Sequence, residues 1–289
     1  MFGSFARIWR ESPKFRLGLS ILLILVVLAL VHSLISNLLF GDTNPLEIGG
    51  DAPWQTPGPI HWLGTDRYGR DLFIMTLSGL AVSLEVAVIA GLLSTLIGVI
   101  VAFVAGYKGG TVDGVLKTTT DMFLVVPSFP LLLTLSAYVR HVTVIDVGIL
   151  LAIFSWPFAA RTIRSQVLSL RSRPYVELAR VTNLGDFEII FQELLPNLLP
   201  YIGVGLATAS LGAIFALVGL EVIGLGPGNI IDLGLMINWA ITWGALSLGA
   251  WPIFVAPVVI LSLLFISVNL INIGLEELYN PRLRGTAGA

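Results

Sequence analysis

The sequence predicts an all-α membrane protein with about six transmembrane helices, and three observations carry that prediction. Of 289 residues, 56% are hydrophobic and only 12% charged, with mean hydropathy +0.91; soluble domains carry about 25% charged residues. Apolar runs recur at lengths near the roughly 20 residues that cross a bilayer. The sixteen basic residues are spread very unevenly over the connecting segments. The chain has no cysteine, which excludes disulfides, thiolate metal sites and thiol nucleophiles.

Residues 1–16 form a basic N-terminal segment with Arg7, Arg10, Lys14 and Arg16. The run 17–40 has one histidine and no charge. A signal peptide shares the basic start, but this run is too long for its apolar core and lacks a small-x-small cleavage site, so it reads as a retained helix. Residues 41–76 read as an outer loop, whose Pro- and Gly-rich part 42–60 is expected to be an extended linker. A five-helix core over 77–275 follows, with spans near 77–106, 115–139, 143–163, 197–223 and 248–275, and then a tail over 276–289. Three rows of small residues at a spacing of four suggest close helix packing: Ala87, Gly91 and Thr95, then Gly98, Ala102 and Gly106, then Gly205, Ala209 and Ala213.

Six spans put both termini on one side of the membrane. With the N-terminus inside, only Arg67, Arg70 and Arg140 lie outside, and the other thirteen basic residues fall on the inner side. The positive-inside rule therefore places both termini, and the segment 173–196, in the cytoplasm.

Several chemistries are excluded. Lys14, Lys108 and Lys117 are the only lysines and none follows a glycine, so no GxxxxGK[ST] phosphate loop exists. His32, His61 and His141 are scattered without a zinc spacing, and GxSxG is absent. This chain does not hydrolyse nucleotide by itself, no metal site is expected, and no nucleic-acid partner is expected.

The segment 173–196 is charged and broken by Asn and Gly, so lipid cannot host it. Tyr175, Leu178, Ala179 and Thr182 share one helical face, while Arg173, Glu177 and Arg180 sit on another at pairing distances in sequence. Asn183 and Gly185 break the helix, both types that tolerate the left-handed conformation. Asp186 and Glu188 suit the start of a second helix, which Leu184, Phe187 and Phe191 give an apolar stripe before Pro196 begins the next span. The expected product is an amphipathic helix–turn–helix that either docks into a protein partner or lies in the lipid interface.

Pro127 and Pro130 are expected to break the third span, Pro157 the fourth, and Pro252 and Pro257 the sixth. Each frees a carbonyl that neighbours or cavity water must satisfy. Pro127, Ser128 and Pro130 are thus candidates for lining a path, against kinks made only for packing. Glu85 lies within a span and is the second path candidate; Glu221, near an outer end, is expected to snorkel to water. Trp239, Trp243 and Trp251 fit an interfacial aromatic belt near the last span.

The pattern E-L-A-x3-N-x12-P from Glu177 to Pro196 resembles the EAA loop of ATP-binding-cassette (ABC) importer permeases. Leu178 replaces an alanine there, Asn183 the glycine, and Glu193 the distal isoleucine. H-W-L-G-T-D-R-Y-G-R-D, from His61 to Asp71, resembles an element of the oligopeptide/dipeptide-type permeases, in particular the "C" member of the pair. A-G-Y-K-G-G at 105–110, Asp113, the run from Asp121 to Ser128, G-L-G at 224–226 and N-P-R-L-R at 280–284 resemble the same subfamily.

The resemblance implies a type I importer transmembrane domain whose cytoplasmic coupling helix docks on an ATPase subunit through Tyr175, Glu177, Leu178, Ala179, Arg180, Asn183, Gly185 and Asp186. It implies a heterodimer with a homologous permease, two ATPase subunits or domains that bind ATP and Mg, and an extracytoplasmic substrate-binding protein. Gly64, Thr65, Asp66, Gly69, Arg70 and Asp71 either contact that protein or form a self-satisfied loop that orders the outer surface. Peptides are the expected cargo, with oligosaccharides or nickel as alternatives. A secondary transporter or channel is the competing class; it tends to show inverted repeats and paired intramembrane charges, which the sequence lacks.

Overall fold

The computed structural model describes Trp9 and residues 12–41, 43–126, 130–132, 134, 143–224, 226 and 230–279. Ser12 starts the first helix described along its length, α1 (Pro13–Phe40): its Oγ accepts from Phe15 N at 3.2 Å, and Pro13 occupies the first turn, where its missing N–H costs nothing. Next come α2 (Leu72–Lys108), α3 (Gly110–Val125), α4 (Val144–Leu170) and α5 (Pro174–Val181). The long helix α6 (Asp186–Val222) contains one π turn over Ile189–Leu194. The last two are α7 (Leu233–Thr242) and α8 (Pro252–Tyr279).

Among the described residues, five helices, α1, α2, α4, α6 and α8, are long and apolar enough to span a membrane. The predicted third span, 115–139, coincides with α3 only as far as Val125 and then runs into residues largely outside the described set. Among the described residues there is no strand, only an isolated bridge between Thr65 and Asp71. The short helix α7 has no counterpart among the predicted elements, for a physical reason: ten apolar residues are too few to register as a span.

The chain divides into two compact units. One comprises residues 1–86, 136–144 and 214–289, the other 87–135 and 145–213. In the first, α1 lies along α8 without side chains between them at two points. A Cβ on Gly18 would meet Ser267 O at 2.6 Å, and one on Gly274 would meet Phe15 N at 2.6 Å. The other flank of α1 leaves Leu30, Leu34 and Leu38 exposed, as a lipid-facing helix requires.

In the second unit, two of the three small-residue rows pack as expected. A Cβ on Gly98 would sit 2.7 Å from Ala159 Cβ and 2.9 Å from Ala160 N; one on Gly106 would sit 2.8 Å from Val167 Cγ1. Gly91 is closed off in the same way by Ser210. The third row differs at its first member: Gly205 faces open space among the described residues, while Ala213, two turns further along α6, is buried. The prolines are corrected too. Pro157 and Pro257 lie inside continuous helices, and Pro252 is the first residue of α8, where proline is preorganised for helix.

These contacts predict that Gly98→Val lowers stability by roughly 1–3 kcal/mol, the usual cost of overpacking. Gly205→Ala is expected to be neutral. Thermal unfolding of the detergent-solubilised protein checks both.

Candidate functional site

The segment after α4 builds a rigid corner. Pro174 starts α5, with Glu177 in its first turn and Arg180 in its last, each at the end whose dipole suits it. The helix stops at Asn183, which has φ 62°. Leu184 N donates to Ala179 O at 3.1 Å and Asn183 N to Arg180 O at 3.0 Å. This pair is a Schellman stop with asparagine in the left-handed position that glycine usually takes. The expected break at Gly185 is corrected: its φ of −67° is ordinary, and it serves instead to begin α6, its N–H donating to Glu188 Oε2 at 2.9 Å.

The corner is anchored by Val176, Ala179, Ile189 and Leu194, all buried with Ala102, Phe103, Ile163 and Leu198. Ala179 thus faces inward, not with Leu178 on an outer face as the periodicity suggests. What remains outside is apolar: Leu178, Val181, Phe187 and Phe191 are 64%, 82%, 79% and 61% exposed. Phe187 and Phe191 line a recess of about 500 Å³ together with Ile100, Phe103 and Val104.

Polar contacts from the end of α2 fix the corner's angle. Tyr107 Oη donates to Asp186 Oδ1 at 2.8 Å, and the Arg180 guanidinium stands 5.6 Å over the Tyr107 ring. Arg171 Nη1 donates to the Gly106 carbonyl at 2.7 Å, capping α2. Gly109, with φ 70°, leaves room for that guanidinium; a Cβ there would come within 3.0 Å of Nη1. The expected pairing of Glu177 with Arg173 or Arg180 is therefore replaced by the stacking of Arg180 on Tyr107. Burial, helped by the nearby Glu193 carboxylate, pushes the Tyr175 phenol up from its ordinary value. Sequence reasoning does not single out Tyr107 and Arg171 as site residues; the A-G-Y-K-G-G block is the available signal.

The 61–71 block turns its polar groups inward. Asp66 Oδ1 accepts from Tyr68 N at 2.8 Å and Arg70 N at 2.9 Å, and its Oδ2 accepts from Arg70 Nε at 2.7 Å. Asp71 caps α2 through Ile74 N at 2.8 Å and holds His61 Nδ1 at 2.8 Å. Thr65 Oγ1 accepts from Gln55 N and donates to Ala52 O at 2.7 Å. Gly64 and Gly69 have φ near +80° and abut backbone carbonyls of Gln55 and Asp51, so no other residue fits either place. Gly64, Thr65, Asp66, Gly69, Arg70 and Asp71 are all buried; Trp62, Arg67 and Tyr68 face outward. The segment expected as an extended linker, 42–60, is held in place along its described residues. It is pinned along this block by Gly49 N to Tyr68 O and by Trp54 N to Asp66 O.

Trp239 and Trp243 belong to this cap and not to a belt on the last span. They stack at 5.2 Å, Trp54 and Tyr68 meet Trp243 edge-on, and Arg70 lies 4.5 Å over Trp239. Trp251 alone of the three is exposed. Beneath the cap, Asp232 starts α7 by accepting from Leu235 N at 2.8 Å. Burial pushes its carboxyl up to about 6 despite the backbone donors of Leu235 and Gly234. Glu221 is buried as well, packed against Gly226 and Gly234, so its expected snorkelling is corrected. Of the path candidates, Glu85 and Pro130 are exposed, and Pro127 and Ser128 lie outside the described residues.

The family described as binding-protein-dependent transport system inner membrane component matches residues 71–285. The chain is 33% identical over 242 residues to the oligopeptide transport system permease protein OppC of Mycobacterium tuberculosis, covering 82% of this chain and 81% of the relative. It is 32% identical over 286 residues to the dipeptide transport system permease protein DppC of Bacillus subtilis, covering 96% and 85%. Identity to the Bacillus subtilis OppC is 29% over 277 residues, covering 96% and 88%.

The geometry of the corner and of the cap can each be tested by substitution. Asn183→Gly is expected to be neutral or slightly stabilising, and Asn183→Val to cost roughly 1–2 kcal/mol for the left-handed backbone; thermal unfolding separates them. The folded-state value of Asp232 lies above the ordinary 3.8, so the stability its protonated form contributes is complete below about 4 and lost as pH rises through about 6. Asp232→Asn keeps the cap acceptor and removes that loss. Its melting temperature relative to the parent should rise from pH 4 to pH 7.

Proposed function

Because the chain belongs to the family of binding-protein-dependent transport system inner-membrane components, we propose that it is one of two permease subunits of an ABC importer for peptides. Its job in that assembly is to shape half of a path and to transmit force; the ATPase partners bind ATP and Mg, and this chain breaks no bonds. The observation that carries the reading is the apolar surface of the clamped corner. Leu178 and Val181 stand almost free on a short helix whose opposite face is locked into the second unit. An apolar protrusion rimmed by Arg173, Glu177 and Arg180 suits a cleft on a soluble partner.

Within this proposal the residues divide by role. Leu178 and Val181, with Tyr175, make the contact; Glu177 and Arg180 form its charged rim. Ala179, Asn183, Gly185 and Asp186 hold the corner's shape. On the outer side, Gly64, Thr65, Asp66, Gly69, Arg70 and Asp71 set the form of a cap that offers Trp62, Arg67 and Tyr68 to the binding protein. Glu85, Pro127, Ser128 and Pro130 remain candidates for the path, shared with the homologous permease. Both termini, residues 1–16 and 276–289, are cytoplasmic, with the outer loop 41–76 on the opposite side. Peptide cargo is supported by the names of the relatives.

In co-purification from cells expressing the whole importer, Val181→Asp and Leu178→Asp should each reduce recovery of the ATPase subunits at least tenfold while the partner permease is retained. Undiminished recovery of the ATPases would overturn the docking surface. The absence of cysteine makes orientation simple to test. A membrane-impermeant maleimide applied to intact cells should label Asp51→Cys and not Val181→Cys; the reverse pattern would overturn the topology.

A further inference from the structure

The second unit holds a charged cavity that the docking reading leaves unused. It has a volume of about 350 Å³, within the roughly 300–1,000 Å³ of small-molecule sites. It opens between α2, α3 and α4, and its polar lining is Lys117, Thr120, Asp121, Arg161, Arg164 and Ser165. Arg164 is held in a two-pronged bond by Asp113, Nε to Oδ1 and Nη2 to Oδ2, both at 2.5 Å. Neither Lys117 nor Arg161 makes an ion pair among the described residues. The lining itself carries three cations against one carboxylate, Asp121, with Asp113 behind it already engaged by Arg164, so the cavity is net positive.

The depth of the cavity says which anion is at hand. The uncharged run of α4 between Asp146 and Arg161 covers residues 147–160. At 1.5 Å per residue that is about 21 Å, shorter than the ~30 Å hydrocarbon core. Arg161 consequently meets the edge of the core from within, where a cation without a partner is costly. Lipid phosphates lie just beyond that edge, within reach of a guanidinium that snorkels outward, and basic pockets between spanning helices on the cytoplasmic side suit anionic headgroups. The thirteen-to-three charge asymmetry puts this end of α4 on the cytoplasmic side.

We propose that this cavity binds the phosphate headgroup of an anionic phospholipid of the inner leaflet, with Lys117 and Arg161 as its direct ligands. The Asp113–Arg164 pair shapes the wall and holds the third cation in place. A phosphodiester supplies negative charge that the lining lacks. A zwitterionic lipid brings its own ammonium and satisfies the site less well. Lipid bound here ties α3 to α4 beside the corner that α5 and α6 form, so its presence should also be felt in coupling. The lipid assignment rests on the orientation proposed above. It is tested in detergent, where orientation plays no part, so the two readings fail independently.

The purified importer, freed of native lipid, is titrated with micelles containing phosphatidylglycerol or phosphatidylcholine, and melting temperature and lipid retention by native mass spectrometry are read. Phosphatidylglycerol should raise the melting temperature by roughly 5 °C and stay bound; phosphatidylcholine should do neither. The double variant Lys117→Gln, Arg161→Gln should lose both effects, while Arg16→Gln, another exposed cation of the same predicted side, keeps them. If the double variant does not assemble, Arg161→Gln alone should weaken retention and Arg161→Lys should restore most of it. Equal responses to the two lipids, an undiminished response in the charge-neutral variants, or the same shift from inorganic phosphate alone would each overturn the proposal.

Discussion

The contact on which the rest depends is the meeting of the last turn of α2 with the corner between α5 and α6. Magnitudes show how the work is divided there. Val176, Ile189 and Leu194 are fully buried, and each such side chain contributes roughly 1.5–3 kcal/mol. The exposed Tyr107–Asp186 hydrogen bond contributes about 1 kcal/mol. Burial therefore holds the corner on, and the polar contacts select its angle. Arg171 adds a constraint that burial cannot supply, because it joins the carbonyls that end α2 to the residue that follows α4. The docking surface proposed here would need both parts, since an apolar anchor alone permits rocking.

The beginning of α2 is governed by the opposite arrangement. There the polar groups are inside and the aromatic groups cover them. Asp71 caps the helix while neutralising demand from His61, and Asp66 is saturated by three donors. Trp54 accepts a positive φ of 56° in this setting, a strain sustained because Asp66 O and the Trp243 ring hold it from two sides. Buried polar networks of this kind help to specify one shape, and here only Arg70 Nη2 of the described network lacks a hydrogen bond, lying instead 2.6 Å from Asp66 Oδ2 as an ion-pair contact. The 61–71 block is thus a folding device as well as a sequence signature.

Five of the six predicted spans are legible in the sequence because lipid imposes a length and forbids charge, and both can be counted along a chain. The stop at Asn183 is legible from residue type, since asparagine is the best substitute for glycine in the left-handed region. The inward side of α5 is not. An eight-residue helix has too few turns to reveal its phase, so periodicity places Ala179 with Leu178 although it packs away from it. The Tyr107–Asp186 bond joins residues 79 apart, and nothing local in the sequence announces it. The same holds for the segment 42–60, whose composition suggests a linker while its hydrogen bonds to the next segment fix it. Gly205 shows the converse error, a small residue at a packing interval with nothing to pack on.

The most direct test of the account separates attachment from angle. In reconstituted importer, peptide taken up per ATP hydrolysed is compared between the parent and Tyr107→Phe, which removes one hydroxyl and leaves the apolar anchor whole. If the clamp sets the angle through which force passes, the ATPases stay bound and hydrolysis continues, while uptake per ATP falls severalfold. An unchanged ratio in a variant that has lost the bond to Asp186 would contradict the claim.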